Sequence, residues 1–241
     1  MSRVVAIHQP NYLPWLGYFY KIAHCDVFVF LDSVQYERRG FTNRNRIKTL
    51  QGPMWLTIGV LTKGNWHQTV REVRIDDSVP WGEKHWKSIG QNYLKAPCFE
   101  EYAQRFQSTY QRSWEHLADL NEALVRDICH MLGIAGVEFR RASLLDASGA
   151  GSELLAAICR EVGADTYLSG FGGKGYMEKE PFERSAVKVR DYDFAHPEYR
   201  QLWGEFVPNL SVVDLLFNEG SRSLNILNAS CKRQPDSTLL G

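Results

Sequence analysis

The chain has 241 residues, and its 28 Lys and Arg residues balance its 28 Asp and Glu residues, so the formal net charge is zero. Hydrophobic residues make up 44% and charged residues 23% of the chain, which excludes a disordered protein. Without a basic surplus or an apolar run of roughly 18 residues, we expect neither a nucleic-acid partner nor a membrane span.

The first forty residues predict a βαβ unit. The β-branched run at 4–7 predicts a buried strand, and apolar residues at helical spacing predict a helix over 15–23. Between Asp26 and Asp32 the chain is apolar throughout, which is typical of a parallel strand covered on both faces. We therefore predict an α/β fold with a Rossmann-like, doubly wound, mostly parallel sheet.

The rest of the chain alternates between helical and strand patterns. Amphipathic spacing predicts helices between Pro80 and Gly133, where the glycine is expected to end the last one. Ser152 is expected to cap a helix that ends at Val162. Polar residues rich in arginine predict a loop over 35–48, and strands are predicted at 55–60, 70–75, 137–140, 166–169 and 186–189.

Length and cysteine usage predict the organisation and the compartment of the protein. The length predicts one α/β domain over 1–231 with a helical insertion at about 80–133, followed by a tail over 232–241. The five cysteines are scattered and form no CxxC pair, which predicts free thiols in a reducing compartment. We therefore expect a cytoplasmic protein, and whether it forms a homo-oligomer stays open.

The loops that follow the predicted strands contain the first candidate site residues. In open α/β sheets ligands bind beyond the carboxyl ends of the strands, so these loops are expected to meet on one rim. His8, Gln9 and Asn11 are costly to bury without partners, which favours a binding loop over a rigid aromatic one. Asp32 ends the second predicted strand and is expected either to act in the site or to cap a turn.

Four arginines stand within nine residues of the predicted polar loop, and amide side chains are interleaved with them. The guanidinium group is suited to carboxylates and phosphates, so this segment favours an anion-binding surface, with a solvated loop as the alternative. The candidate residues of this segment are Gln35, Arg38, Asn43, Arg44 and Arg46.

A glycine-rich segment follows the strand predicted at 166–169. Backbone N–H groups of such a loop can hold a phosphate, and a lysine adds positive charge, so the segment predicts a phosphate site. It does not match the pattern GxxxxGK[ST], and a flexible turn is the alternative. The chain contains no HExxH and no paired His and Cys at zinc spacing, so no metal site is predicted. The candidate residues here are Ser169, Gly170, Gly172, Gly173 and Lys174.

Several blocks of the sequence resemble the WbqC-like family. The most distinctive block runs from His8 to Phe19 and reads HQPNYLPWLGYF. Members of that family are similar to proteins encoded among bacterial surface-polysaccharide (O-antigen, lipopolysaccharide) genes. The other blocks are 26–32 with Gln35, 43–46, 167–170, 196–199 and 210–216.

The resemblance implies an enzyme of surface-polysaccharide synthesis, either a transferase or an ATP-dependent carboxylate–amine ligase. Its small-molecule substrate would be a nucleotide-linked sugar or a carboxylate, and its product an amide formed by acyl or aminoacyl transfer to a nucleotide-linked amino sugar. A non-catalytic module that binds a sugar or a partner protein of the same pathway is the alternative.

A more remote resemblance is to nucleotidylyltransferase-like enzymes, such as pantothenate synthetase. Gln35 falls at the place of their substrate-binding glutamine, whereas Trp15 and Tyr18 stand where their HxGH motif has histidines. If adenylylation is kept despite this difference, ATP with Mg²⁺ is the implied cofactor. If it is lost, an already activated donor takes the place of ATP.

The same resemblance implies roles for individual residues. His8 would be the acid or base, with Arg44, Arg38 and Arg46 neutralising negative charge. Lys21 would hold phosphates together with the glycine-rich loop that contains Lys174.

Overall fold

A computed structural model describes residues 2–170, 177–192 and 194–230. No helix in these three ranges combines the length and the apolar character that crossing a bilayer requires. The strands are β1 (Val4–His8), β2 (Val27–Phe30), β3 (Arg44–Thr49), β4 (Gly52–Thr57), β5 (Glu138–Arg141), β6 (Thr166–Ser169) and β7 (Lys188–Asp191). The helices are α1 (Leu16–Ala23), α2 (Trp81–Tyr93), α3 (Phe99–Gln111), α4 (Leu117–Leu132), α5 (Gly151–Glu161), α6 (Glu180–Arg184), α7 (Val212–Glu219) and α8 (Ser223–Asn228).

Five strands form a parallel sheet in the order β5-β2-β1-β6-β7, and both of its faces are covered. Successive side chains of a strand point to opposite faces. Val5 and Ile7 accordingly pack in the hydrophobic cluster that contains α5, whereas Ala6 and Phe28 pack in the cluster that contains α1 and α4. The predicted α/β fold with a Rossmann-like, doubly wound sheet is therefore confirmed.

The order of the strands reverses beside β1. From β1 the chain continues to β2 and β5 on one side of it, and later to β6 and β7 on the other. β1 pairs with β2 as far as His8 and Phe30, but its pairing with β6 comprises only Val4–Thr166 and Val5–Tyr167. β1 and β6 therefore separate toward their carboxyl ends, and a reversal of this kind is where open α/β sheets bind ligands.

The helices α2, α3 and α4 lie between β4 and β5 in the chain, in the segment where an insertion was predicted. Gly133 ends α4 in the left-handed conformation, with a φ of 77°, as expected for a glycine that follows a helix. The prediction that Ser152 caps α5 is wrong, because the helix begins at Gly151 after Ala150. The Ser152 hydroxyl instead accepts a hydrogen bond from the Glu178 backbone N–H at 2.9 Å.

Two segments differ from the sequence prediction. The polar segment predicted as a loop contains β3, which pairs with β4 in an antiparallel hairpin, with Arg46 opposite Trp55. The segment predicted as a strand over 70–75 contains a short 3₁₀ turn, closed by a capping box between Thr69 and Glu72. Cross-strand packing outweighs the polar composition of the first segment, and local hydrogen bonds outweigh the alternation of polar and apolar residues in the second.

Candidate functional site

The carboxyl ends of β1 and β6 separate, and we call the region between these two ends the crevice. It contains an imidazole and an amine. His8 is the last residue of β1, and Lys21 lies in the last turn of α1. Helical side chains lean toward the N-terminus of their helix, so Lys21 extends toward the carboxyl edge of the sheet. Its Nζ donates a hydrogen bond to the Ile7 carbonyl at 2.8 Å and lies 5.6 Å from the centre of the Tyr167 ring on β6.

Lys21 is almost completely buried, with 2% of its surface exposed. Its amine is held by a neutral carbonyl, and no described carboxylate forms an ion pair with it. Burial lowers the pKa of Lys21 to about 8, although the nearby thiols of Cys25 and Cys159 partly oppose this shift. A buried amine without a counter-ion reduces stability, so its presence in a crevice is typical of a functional group.

His8 is held in one tautomer by its neighbours. Its Nδ1 lies 3.1 Å from the Gln9 carbonyl, which can only accept, so Nδ1 bears the proton and Nε2 has a lone pair. Tyr18 packs edge-on at 4.8 Å and donates to the same carbonyl at 3.2 Å. Burial and the positive charge of Lys21 lower the pKa of His8 to about 4. His8 is therefore a neutral proton acceptor at physiological pH.

The opposite wall of the crevice comes from the end of β6 and from the residue after β7. Gly170 adjoins the amine, because a Cβ added to it would lie 3.9 Å from Lys21 Nζ and 3.7 Å from the Tyr192 ring. Tyr192 donates its hydroxyl to the Gly17 carbonyl at 3.1 Å, which ties this wall to α1. Ser169 is buried at the end of β6. The other candidates of the glycine-rich loop, Gly172, Gly173 and Lys174, lie outside the described residues.

Trp15 and Tyr18 stand at the positions that the remote resemblance compares with the HxGH histidines, and both side chains are packed against their neighbours. The Trp15 indole covers Gly17 so closely that a Cβ there would lie 2.4 Å from its Cη2 atom, and it contacts the Phe194 ring at 5.3 Å. Tyr18 is buried against His8. Neither ring offers the cationic N–H donors that hold phosphates, so these positions do not fit the phosphates of ATP.

Other predicted site residues hold the framework around the crevice. Both oxygens of the Asp32 carboxylate accept hydrogen bonds from Ser143, at 2.8 Å from the backbone N–H and 2.7 Å from the hydroxyl. Asn43 donates its amide to the Ile58 carbonyl at 2.8 Å. Asn11 is buried in the loop after β1. The contacts of Asp32 and Asn43 position the loops at the carboxyl edge of the sheet.

The structure places Arg44 and Arg46 on another face from the crevice. Their guanidinium groups lie over the Trp55 indole, at 4.5 and 5.6 Å from a ring centre. Asn45, between them, points the opposite way and donates to the Leu13 carbonyl in the loop after β1 at 2.6 Å. The crevice therefore brings together His8, Lys21, Ser169 and Gly170, and the arginines of β3 face away from the β1 loop.

Gln35 and Arg38 line a cavity of about 420 Å³ on the loop that leaves β2. Arg38 stacks 4.2 Å above the Trp66 indole, and Gln35 donates its amide to the Trp66 carbonyl at 3.1 Å. Sequence reasoning did not include Trp66, and neither did it include Tyr167 or Tyr192 in the crevice. Tyr167 lies within one of the distinctive blocks, but nothing in the sequence around Trp66 or Tyr192 indicates a site.

A parallel sheet whose order reverses beside the half-buried His8 and the buried Lys21 defines a Rossmann-like, doubly wound α/β protein with a crevice at the reversal. The model of the WbqC-like protein family matches residues 9–226, and the chain therefore belongs to that family. It is also 38% identical over 227 residues to the "Uncharacterized protein Rv1507c" of Mycobacterium tuberculosis (strain ATCC 25618 / H37Rv), a match that covers 93% of this chain and 97% of that protein.

Proposed function

We propose that this protein is a transferase of bacterial surface-polysaccharide (O-antigen) synthesis that forms an amide on a nucleotide-linked amino sugar. The transferred group is an acyl or aminoacyl group that arrives already activated. The observation that supports this proposal is the buried Lys21 amine beside the neutral His8 imidazole, where β1 and β6 separate. An imidazole can serve as the proton acceptor of acyl transfer and an ammonium can stabilise its oxyanion, and a crevice at the strand reversal is where such sheets bind ligands.

We propose a role for each of the two side chains. The amino nitrogen of the acceptor attacks the acyl carbon, a C–N bond forms, and the bond between the acyl carbon and its carrier breaks. His8 Nε2 accepts the proton that the nitrogen loses and returns it to the departing carrier atom. The Lys21 ammonium keeps two N–H groups besides the one bound to Ile7, and these stabilise the negative charge that develops on the acyl oxygen.

An activated donor suits the crevice better than ATP does. The positions at which related nucleotidyl-transfer enzymes hold phosphates are Trp15 and Tyr18, and both are packed against their neighbours. With no cationic N–H donor at these two positions, the energy for amide formation is proposed to come from the donor's own bond to its carrier. ATP and Mg²⁺ have no step in this reaction.

Mass spectrometry of reaction mixtures tests this proposal. The purified protein is incubated with a panel of nucleotide-linked amino sugars and acyl or aminoacyl thioesters, with and without ATP. We expect an amide product without ATP, and at least a 100-fold lower rate in His8→Gln and in Lys21→Met. Arg112→Met, far along the chain in the helical segment, is the control and should keep the wild-type rate. An amide that forms only with ATP, or no amide from any pair, would contradict the proposal.

The second candidate function is a non-catalytic module that binds a sugar or a partner protein. The exposed indoles of Trp55 and Trp66 favour it, because such rings often stack on ligands. Under this alternative His8→Gln and Lys21→Met leave the pathway product unchanged in cells, whereas loss of the whole chain abolishes it.

A further inference from the structure

The cavity on the loop after β2 has the size of a small-molecule site. Its volume of about 420 Å³ falls within the range of ligand pockets and is too small for a polymer. The wall comprises amide, hydroxyl, carboxylate, guanidinium and indole groups, among them Gln35, Tyr36, Arg38 and Trp66. The crevice residues His8 and Lys21 do not line it.

Trp66 gives the cavity a flat, water-exposed aromatic wall. About two thirds of its surface, 64%, is exposed, although apolar surface of this size is costly in water. Its backbone carbonyl is held by the Gln35 amide, and the Arg38 guanidinium lies over the ring, 4.2 Å from a ring centre. Indole and guanidinium planes of this kind stack on planar ligands such as nucleobases.

Arg38 in the cavity wall and Arg44 beside the wall each carry a positive charge, and the wall also contains the carboxylate of Glu37. Arg38 donates to the Thr62 carbonyl at 3.2 Å and Arg44 to the Arg39 carbonyl, so both guanidinium groups are bound by neutral oxygens. Neither forms an ion pair with a described carboxylate, and the exposed Glu37 at the cavity forms none either.

Arg44 does not line the cavity but lies next to its wall, because its guanidinium donates a hydrogen bond to the carbonyl of Arg39, the residue that follows Arg38. Burial raises the pKa of the Tyr36 hydroxyl in the wall, and the charges of Arg38 and Arg44 both act in the opposite direction. Two guanidinium groups beside one buried wall are suited to two adjacent phosphates, because each presents a planar pair of donors.

We propose that this cavity binds a nucleoside diphosphate, with its base on Trp66 and its phosphates at Arg38, on the side of the neighbouring Arg44. Leu31 donates its backbone N–H to the His8 carbonyl, and the four residues from there to Gln35 span at most about 14 Å. The cavity wall at Gln35 therefore lies within that distance of the end of β1, and the proposal has a sugar on the bound diphosphate extend along this loop toward the crevice. That this diphosphate is part of the amino-sugar acceptor rests on the function proposed above, whereas the binding of the diphosphate itself does not.

Calorimetric titration of the full chain with UDP, GDP, CDP and ADP tests this site. We expect at least one to bind one-to-one, and at least tenfold weaker binding in Arg38→Met and in Trp66→Ala. Trp66 is exposed, so its replacement leaves the core intact. Arg112→Met is a matched control, because Arg112 stacks on Trp114 at the same 4.2 Å elsewhere, and it should bind like the wild type.

Three results would overturn the proposal: no binding of any of the four diphosphates, unchanged binding in Arg38→Met, or equal affinity for inorganic pyrophosphate, which has no base. Lys21→Met separates this site from the proposed reaction, since it should bind the diphosphate like the wild type while forming no amide. Diphosphate binding without amide formation by the wild type would contradict only the reaction.

Discussion

Lys21 illustrates the energetic cost of a functional group at the scale of one residue. Its pKa of about 8 in the folded protein lies below the usual value of 10.5, so the folded chain binds this proton more weakly than the unfolded chain does. Stability therefore rises with pH between these two values, and at neutral pH the buried charge destabilises the fold.

Replacing this amine should stabilise the protein. We expect Lys21→Met to raise the free energy of unfolding at pH 7 by about 2 kcal/mol, after allowing about 1 kcal/mol for the hydrogen bond lost by Ile7. The gain should shrink as the pH rises from 8 to 10.5. Urea unfolding at pH 7 and pH 10 measures both values, and a destabilised variant at pH 7 would contradict the account of the buried charge.

Gly17 is required by the close approach of the Trp15 indole. Any Cβ at this position would overlap the ring, which the Phe194 contact holds in place. We expect Gly17→Ala to lower the free energy of unfolding by about 1–3 kcal/mol. Gly90→Ala is the matched control, because Gly90 lies in α2 with open space around it, and alanine there should stabilise the helix. Equal melting temperatures for the two variants would refute the packing argument.

At the scale of elements, a buried polar contact joins β3, α2 and α7. Tyr93 on α2 donates its hydroxyl to Asp214 on α7 at 2.7 Å and accepts from the Lys48 backbone N–H at 2.9 Å. Burial raises the pKa of Asp214 to about 6, although the hydrogen bond from Tyr93 and the charge of Lys48 lower it in part. The folded chain therefore binds the proton of this carboxyl more tightly than the unfolded chain does.

The shifted carboxyl predicts a pH-dependent stability. Because the folded pKa of about 6 exceeds the usual 3.8, this contribution to stability is complete below pH 4 and is lost as the pH rises through 6. Asp214→Asn, which stays neutral, should therefore be more stable than the wild type by about 3 kcal/mol at pH 8 and equal to it near pH 4. Urea unfolding at both pH values checks this, and a pH-independent difference would argue against it.

Elements with a strong periodic pattern could be predicted from the sequence, and those fixed by tertiary contacts could not. Apolar runs identify β1 and β2, and Gly133 identifies the end of α4. The strand β3 was missed because its outward positions are arginines and its inward Asn45 is satisfied by the Leu13 carbonyl. No element was predicted for α7, whose first turn buries Asp214 in a polar contact with α2.

At the scale of the whole molecule, the topology explains which part of the site could be predicted from the sequence. A parallel sheet brings the ends of β1 and β6 to one edge, so His8, Ser169 and Gly170 were predicted to lie together. Where the side chains of Arg44 and Arg46 point depends on strand pairing within the hairpin, which the order of elements does not determine. The cavity at Trp66 depends on contacts between the loop after β2 and the segment around Gln68. No periodic pattern in the sequence predicts these contacts.

The mass of the amino sugar in cell-surface polysaccharide is the measurement that tests the central claim most directly. In cells from which the gene is deleted, we expect the acylated sugar to be absent, and Arg112→Met to restore it. His8→Gln and Lys21→Met, expressed to the same level, should leave the sugar unacylated. Full acylation in both variants would contradict the claim that the opening between β1 and β6 is where the reaction takes place.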